Sequence, residues 1–288
     1  MMKLEILLRT CNKHENNSNM KRIMNVSRDE LILRCTTSFV SSINELSDEV
    51  LQSVKVTIID DSITDFVIKL QNILDKLKCS YKFIQKELTN NESMKYCYEY
   101  AMDNFEEDSV IYFSEDDYLY FPNCFMEIIE AYEMFTQRLG GKEVVIHPAN
   151  SPTEYFPEAV NSPYAPSIIV LSNYRHWRTS VSYAFTMLIS KKTFIRFYDK
   201  FMDYSKFDGV NFHEANTINL MFIDQVKLFT PIPTLCFHLG YIYPPSPFCD
   251  HLKLWETSYN IRYLQSENLS TPTLNLSLQI QKYTRTYF

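Results

Sequence analysis

The chain has 288 residues, 45% of them hydrophobic, and a formal charge of −7. That is enough apolar material for one large or two small packed domains, and the scattered basic residues exclude a protein that tracks a phosphate backbone, so nucleic acid is not an expected partner. The opening MMKLEILLRTCNK is too short in apolar residues for a secretory signal, and no later run reaches spanning length, so a soluble cytoplasmic protein without a membrane span is expected.

Residues 4 to 8 read as a first strand, followed by a polar loop from Asn12 to Asn19. Leu31, Ile32, Cys35, Phe39 and Ile43 then fall on one stripe of a helix over 29 to 43. The β-branched run Val54 to Ile59 is a second strand ending in Asp60 and Asp61, and residues 62 to 65 carry N-cap chemistry for a helix to about Leu77. A third strand over 81 to 85, a helix over 90 to 104 and a fourth strand over 110 to 113 complete an alternation that predicts a parallel sheet with helices on both faces. Pro122 opens a helix to about Arg138, closed by Gly140 and Gly141. Strand Val144 to His147 leads into a proline-rich loop over 148 to 166. Beyond it, strands are expected over 167 to 171, 183 to 189 and 226 to 229, and helices over 191 to 204 and 215 to 222. The tail from Ser266, rich in Ser, Thr and Asn, carries no catalytic pattern.

Seven widely spread cysteines, at 11, 35, 79, 97, 124, 236 and 249, are odd in number and lack metal-type spacing; they read as buried thiols in a reducing compartment. The only glycines are 140, 141, 209 and 240, so neither a Walker loop nor a GxGxxG fingerprint can be written. Any bound nucleotide phosphate must then be neutralised by something other than a glycine-rich cradle. The fourth strand runs directly into Glu115, Asp116 and Asp117. Acids at the carboxyl end of a parallel strand lie where open α/β sheets hold ligands, and three together are relieved by Mg²⁺ or Mn²⁺ whose shell a phosphate-bearing donor completes. A solvated acidic turn is the plainer alternative. Asp60 and Asp61 end on the same edge, where Asp60 suits a base N–H or a ribose hydroxyl; helix capping by Asp61 or Ser62 is the competing explanation.

With these motifs the chain resembles nucleotide-sugar glycosyltransferases of the GT-A fold, most nearly the inverting group with a DXD-like metal motif. The resemblance rests on residues 7 to 13 (LLRTCNK), 56 to 65 (VTIIDDSITD), 112 to 118 (YFSEDDY) and, more faintly, 231 to 238 (PIPTLCFH). It implies that Arg9, Thr10, Asp60, Asp61, Glu115 and Asp116 bind the nucleotide sugar, and that Asp117 ligates the metal with His238 as a second ligand. Two departures bear on donor identity. Cys11 and Asn12 stand where a tyrosine and an arginine-bearing turn are frequent, and the usual Asp-Gly/Ser-Ser-Thr-Asp turn is Asp-Ser-Ile-Thr-Asp.

Inverting transfer needs a base for the acceptor hydroxyl. Glu214 is the first choice, with Asp208 and His213 as rivals and helix capping as the ordinary role of an acid there. Tyr174, His176, Trp177 and Arg178 form an aromatic and basic cluster in which Trp177 and Arg178 are candidates for acceptor binding; core packing is the alternative. The sequence thus leads to a single GT-A-type α/β domain over 1 to 265, with a nucleotide-sugar half over 1 to 120, an acceptor half over 121 to 265 and a tail over 266 to 288. The expected activity is metal-dependent transfer from a nucleoside-diphosphate sugar, a UDP-sugar first, to a hydroxyl of a saccharide or glycoconjugate. Nucleotidyl transfer at a similar acidic site, or non-catalytic binding of a glycan or partner, are the rival readings.

Overall fold

The computed structural model describes residues 2–13, 23–150, 168–181, 185–206, 213–240 and 249–258. Asp208, the segment 151 to 166, the side chain of His213 and the tail from 266 lie outside these residues.

The strands β1 (Leu4–Thr10), β2 (Val54–Asp60), β3 (Ser80–Gln85) and β4 (Val110–Glu115) lie side by side in the order β3-β2-β1-β4, all parallel. Between them run α1 (Arg28–Asn44), the single turn α2 (Asp48–Leu51), α3 (Thr64–Leu74) and α4 (Asn90–Asn104). After β4 come the short β5 (Tyr118–Tyr120), α5 (Cys124–Arg138), β6 (Val144–Ile146), β7 (Ile169–Leu171), β8 (His176–Ser180) and β9 (Met187–Ser190). The chain continues through α6 (Lys191–Arg196), α7 (Tyr198–Tyr204), α8 (His213–Asn216), α9 (Leu220–Asp224), β10 (Lys227–Ile232), β11 (Cys236–His238) and α10 (His251–Thr257).

Among the described residues one sheet runs β3-β2-β1-β4-β9-β6-β10-β8-β7, and the pairings leave only β9 and β8 antiparallel to the rest. The protein is therefore an α/β fold on a large, mostly parallel sheet. A second pair, β5 with β11, stands apart. No helix among the described residues is long and apolar enough to cross a membrane.

Burial on both faces follows from the period of two along each strand. Leu4, Ile6 and Leu8 of β1 pack with Phe39 of α1, Phe66 of α3 and Phe125 of α5, while Leu7 between them packs with Tyr98 of α4 and Phe201 of α7. Each such side chain removed from water contributes roughly 1.5–3 kcal/mol, which sets the strand register firmly. That register places Thr10 opposite Asp60 and Arg9 opposite Glu115, so both acidic strand ends share one edge.

Several elements depart from the sequence reading. The helix expected over 191 to 204 breaks at Phe197, whose φ of −112° and ψ of 15° leave the helical region while its side chain stays in the core. The helix expected over 215 to 222 divides into α8 and α9, joined by a turn in which Asn219 N–H donates to the Glu214 carbonyl at 3.0 Å. The strand expected over 183 to 189 is described from Met187. The aromatic and basic cluster placed between strands is itself β8. All seven cysteines are free, but only 35, 97, 124 and 236 are buried; 11, 79 and 249 are partly open.

Candidate functional site

Where β1, β2 and β4 end, a cleft of about 280 Å³ opens, lined by Arg9 to Cys11, Arg28, Ile59 to Asp61, Leu88 to Asn90, Ser93 and Glu115 to Asp117. Its walls are built by strand ends and by the starts of two helices. Helix α1 is capped by Ser27, which accepts from Glu30 N–H, and α4 by a full capping box between Thr89 and Glu92; both caps hold their helices' first turns against the sheet edge.

Much of the acidic charge here is already matched. Arg9 forms an ion pair with Glu115, donates to the Asn90 carbonyl (3.1 Å), Asn90 Oδ1 (2.9 Å) and Ser93 Oγ (3.2 Å), and lies 4.7 Å from the centre of the Phe185 ring. Burial alone would lower its pKa, but Glu115 lifts it above the usual arginine value. Arg28 donates from Nε to the Cys11 carbonyl at 3.1 Å and from its terminal nitrogen to Asp116 Oδ1 at 2.6 Å. Asp116 Oδ2 accepts from Cys11 N–H at 2.9 Å. Burial, against the pull of Arg28 and helped by Asp117, raises the Asp116 pKa.

Asp60 has none of its surface open, and both its oxygens are occupied. Thr10 Oγ1 (2.6 Å) and Ser62 Oγ (2.7 Å) donate to one, and Ser62 N–H (3.0 Å) to the other. Three donors thus hold Asp60, two on Oδ1 and one on Oδ2, and they tie β1 to the turn after β2. The capping alternative does not hold. The N-cap of α3 is Ile63, which makes no side-chain cap bond, and its N–H donates to Asn12 Oδ1 at 2.9 Å. Asp61 receives Lys13 Nζ at 2.6 Å and Leu88 N–H at 3.2 Å.

Asp117 differs from its neighbours. Strand β11 pairs with β5 so that His238 faces Tyr118, and Leu239 N–H donates to the Asp117 carbonyl at 2.9 Å. This brings His238 Nε2 to 3.2 Å from Asp117 Oδ2, and the imidazole lies flat on the Tyr118 ring at 4.6 Å between centres. Asp117 Oδ1 is buried and has no hydrogen-bond partner, an expensive omission unless a ligand is meant to reach it. Burial works against both charges. Even so, the pairing lowers the Asp117 pKa and raises that of His238, with Glu115 and Glu214 adding to the latter.

Donor atoms of Glu115, Asp117 and His238 all lie within 4.8 Å of one another. Carboxylate oxygens with one imidazole suit Mn²⁺, and Mg²⁺ less well. Gly240 runs so close to this pair that an added Cβ would stand 2.5 Å from Asp117 Oδ2 and 2.9 Å from His238 Nε2. The clustered donor atoms and the orphaned oxygen are a donor set that fits a divalent cation.

The remaining sequence-derived candidates separate. Glu214, in α8, accepts from the Tyr204 hydroxyl at 2.9 Å and is near enough to His238 to influence its charge. Trp177 is fully buried, edge-on to Phe135 at 5.8 Å, so its ring is a core element and offers no shelf for a sugar. Arg178 is also buried and donates to Asn150 Oδ1 at 2.6 Å. Of that cluster, Tyr174 and His176 are the exposed members. Sequence reasoning missed Arg28, Asn90, Ser93 and Gly240. Arg28 carried a signal, since a cation in the first turn opposes the helix dipole and so needs another reason to be there.

No match to this chain is found among protein-family models or curated proteins. Solved structures resemble it distantly. A nucleotide-diphospho-sugar transferase from Desulfovibrio desulfuricans G20 is 12% identical, with 99% of this chain and 96% of that one covered and a TM-score of 0.46. The glycosyltransferase GlyE of Streptococcus pneumoniae TIGR4, in its apo form, is 10% identical over 99% of this chain and 64% of that one, with a TM-score of 0.43. The 4-diphosphocytidyl-2C-methyl-D-erythritol synthase of Anaerococcus prevotii DSM 20548 is 10% identical over 92% and 96%, with a TM-score of 0.42. Likenesses this distant carry no argument about chemistry, which rests on the site itself.

Proposed function

We propose that this protein is a metal-dependent glycosyltransferase that moves a sugar from a nucleoside-diphosphate sugar, a UDP-sugar first, to a hydroxyl acceptor with inversion. One observation carries the reading: Asp117, with an unsatisfied buried oxygen, sits beside His238 and Glu115 at the carboxyl edge of a parallel sheet, next to a cleft. Asp117 and His238 would hold Mn²⁺ or Mg²⁺, with Glu115 within reach. Such an ion supplies a positive charge that stabilises the departing diphosphate.

The chain's own residues do the rest. Arg9 and Arg28 neutralise Glu115 and Asp116, which leaves Asp117, paired only with His238, as the carboxylate no arginine holds and keeps the cleft from repelling a diphosphate. The backbone around Thr10, Cys11 and Leu88 to Asn90 lines the space for a nucleoside. Glu214 takes the proton from the acceptor hydroxyl as its oxygen attacks the anomeric carbon, and the Tyr204 hydroxyl orients that carboxylate. Arg9 at the end of β1 and Lys13 just after it are engaged with Glu115 and Asp61, an arrangement that disfavours the triphosphate grip a nucleotidyltransferase needs.

The test is calorimetry of UDP with and without Mn²⁺, followed by assay of UDP-sugar hydrolysis in wild type and Asp117→Asn. Binding should tighten with the metal, and the variant should lose metal-stimulated hydrolysis while remaining folded. Affinity indifferent to Mn²⁺, or full hydrolysis in the variant, would remove the assignment.

A further inference from the structure

The described glycines serve two different needs. Gly140 and Gly141 have φ of 69° and 80°, and nothing lies within 4 Å of the Cβ that either could carry. Backbone conformation demands glycine there, where the chain turns out of α5. Gly240 is the reverse case. Its φ lies outside the left-handed region, so the backbone suits any residue, yet an added Cβ would meet Asp117 Oδ2 at 2.5 Å and His238 Nε2 at 2.9 Å. Only space requires glycine here.

The absent carbon would press on a carboxylate oxygen and an imidazole nitrogen that lie 3.2 Å apart, the two atoms a cation would have to bond together. The backbone cannot easily withdraw from this spot. Leu239, next in sequence, is fully buried and its N–H is bonded to the Asp117 carbonyl at 2.9 Å. The imidazole is held flat against Tyr118, so the softer neighbour is the Asp117 carboxylate.

We infer that Gly240 is a positioning residue of the cation site: only without a side chain at 240 can the Asp117 carboxylate and the His238 imidazole stand where both donor atoms reach one ion. This rests on the metal-dependent reading above. A methyl group at 240 would meet the Asp117 carboxylate at 2.5 Å and turn it aside, leaving the sheet and core as they are.

The scarcity of glycine makes the test direct, because [¹⁵N]glycine labelling yields only four glycine amide signals, assignable with single Gly→Ala variants. Titrated with Mn²⁺ alone, wild type should lose the Gly240 signal to paramagnetic broadening first, with Gly140 and Gly141 still sharp. Counting free Mn²⁺ by electron paramagnetic resonance, Gly240→Ala should bind about 10- to 100-fold more weakly with an unchanged circular-dichroism spectrum. Wild-type affinity in that variant overturns the inference while metal binding itself stands. Should the variant not fold, labelled wild type decides: a sharp Gly240 signal with Mn²⁺ bound places the ion elsewhere. No Mn²⁺ binding to wild type at all removes the metal reading and this inference together.

Discussion

Arg28 and Asp116 form an ion pair with both side chains largely out of water, 14% and 7% exposed. Removing one member of such a pair leaves an uncompensated charge, which costs about 3–5 kcal/mol. Arg28→Ala should therefore unfold at markedly lower urea concentration than wild type, and adding Asp116→Asn should recover a large part of the loss. Equal midpoints for Arg28→Ala and wild type would mean that Arg28 is not what keeps Asp116 charged. Trp177 makes the opposite kind of prediction. Since its ring packs on Phe135 in the core, Trp177→Phe should cost stability through lost volume yet leave KM for the acceptor unchanged; a raised acceptor KM at unchanged kcat would restore the sugar-shelf role.

At the scale of elements, α4 shows how a local sequence signal reaches the site. Thr89 and Glu92 close its first turn, and that turn carries the Asn90 and Ser93 groups that hold Arg9. Thr89→Ala should lower stability by about 1 kcal/mol, read as a shift in the urea midpoint. Elements of this kind, and the four parallel strands with their acidic ends, were legible because apolar period and strand-end acids are local. The ribbon of β5 and β11 was not legible as structure, because the short runs Tyr-Leu-Tyr and Cys-Phe-His, unlike the Val-Val-Ile of β6, carry no β-branched residue. What the sequence held of it was His238 alone, through a family order of motifs. The Phe197 break and the depth of Trp177 were hidden for a related reason: apolar residues keep the same pattern whether a helix continues or bends, and an aromatic beside basic residues reads alike in a core and on a shelf. The bonds from Thr10 and Ser62 to Asp60 were likewise not legible, because Thr10 is far off in sequence.

For the molecule as a whole, acid should be the sensitive direction. His147 follows β6, is 5% exposed, and places Nδ1 2.6 Å from the Thr186 carbonyl, so that nitrogen carries the hydrogen. Burial pushes its pKa down to about 4 from the ordinary 6.5. The folded state thus prefers the neutral ring. Between those two values the unfolded chain binds the extra proton, so stability declines as pH falls from about 6.5 toward 4, by about 3 kcal/mol from this group. Urea melts at both ends of that window should show a larger loss for wild type than for His147→Gln, and identical losses would exonerate the ring. His238, with its pKa raised, acts in the other sense and holds its contribution on the acid side, losing it as pH rises through the folded value. Mn²⁺ should raise the thermal midpoint with concentration if it binds only the native form.

The partner of Asp117 arrives 121 residues later in the chain. If a divalent ion binds as proposed, both donors exist only once residue 238 has been made, so the ion would add to the durability of the completed fold and not to the pairing of β1 to β4.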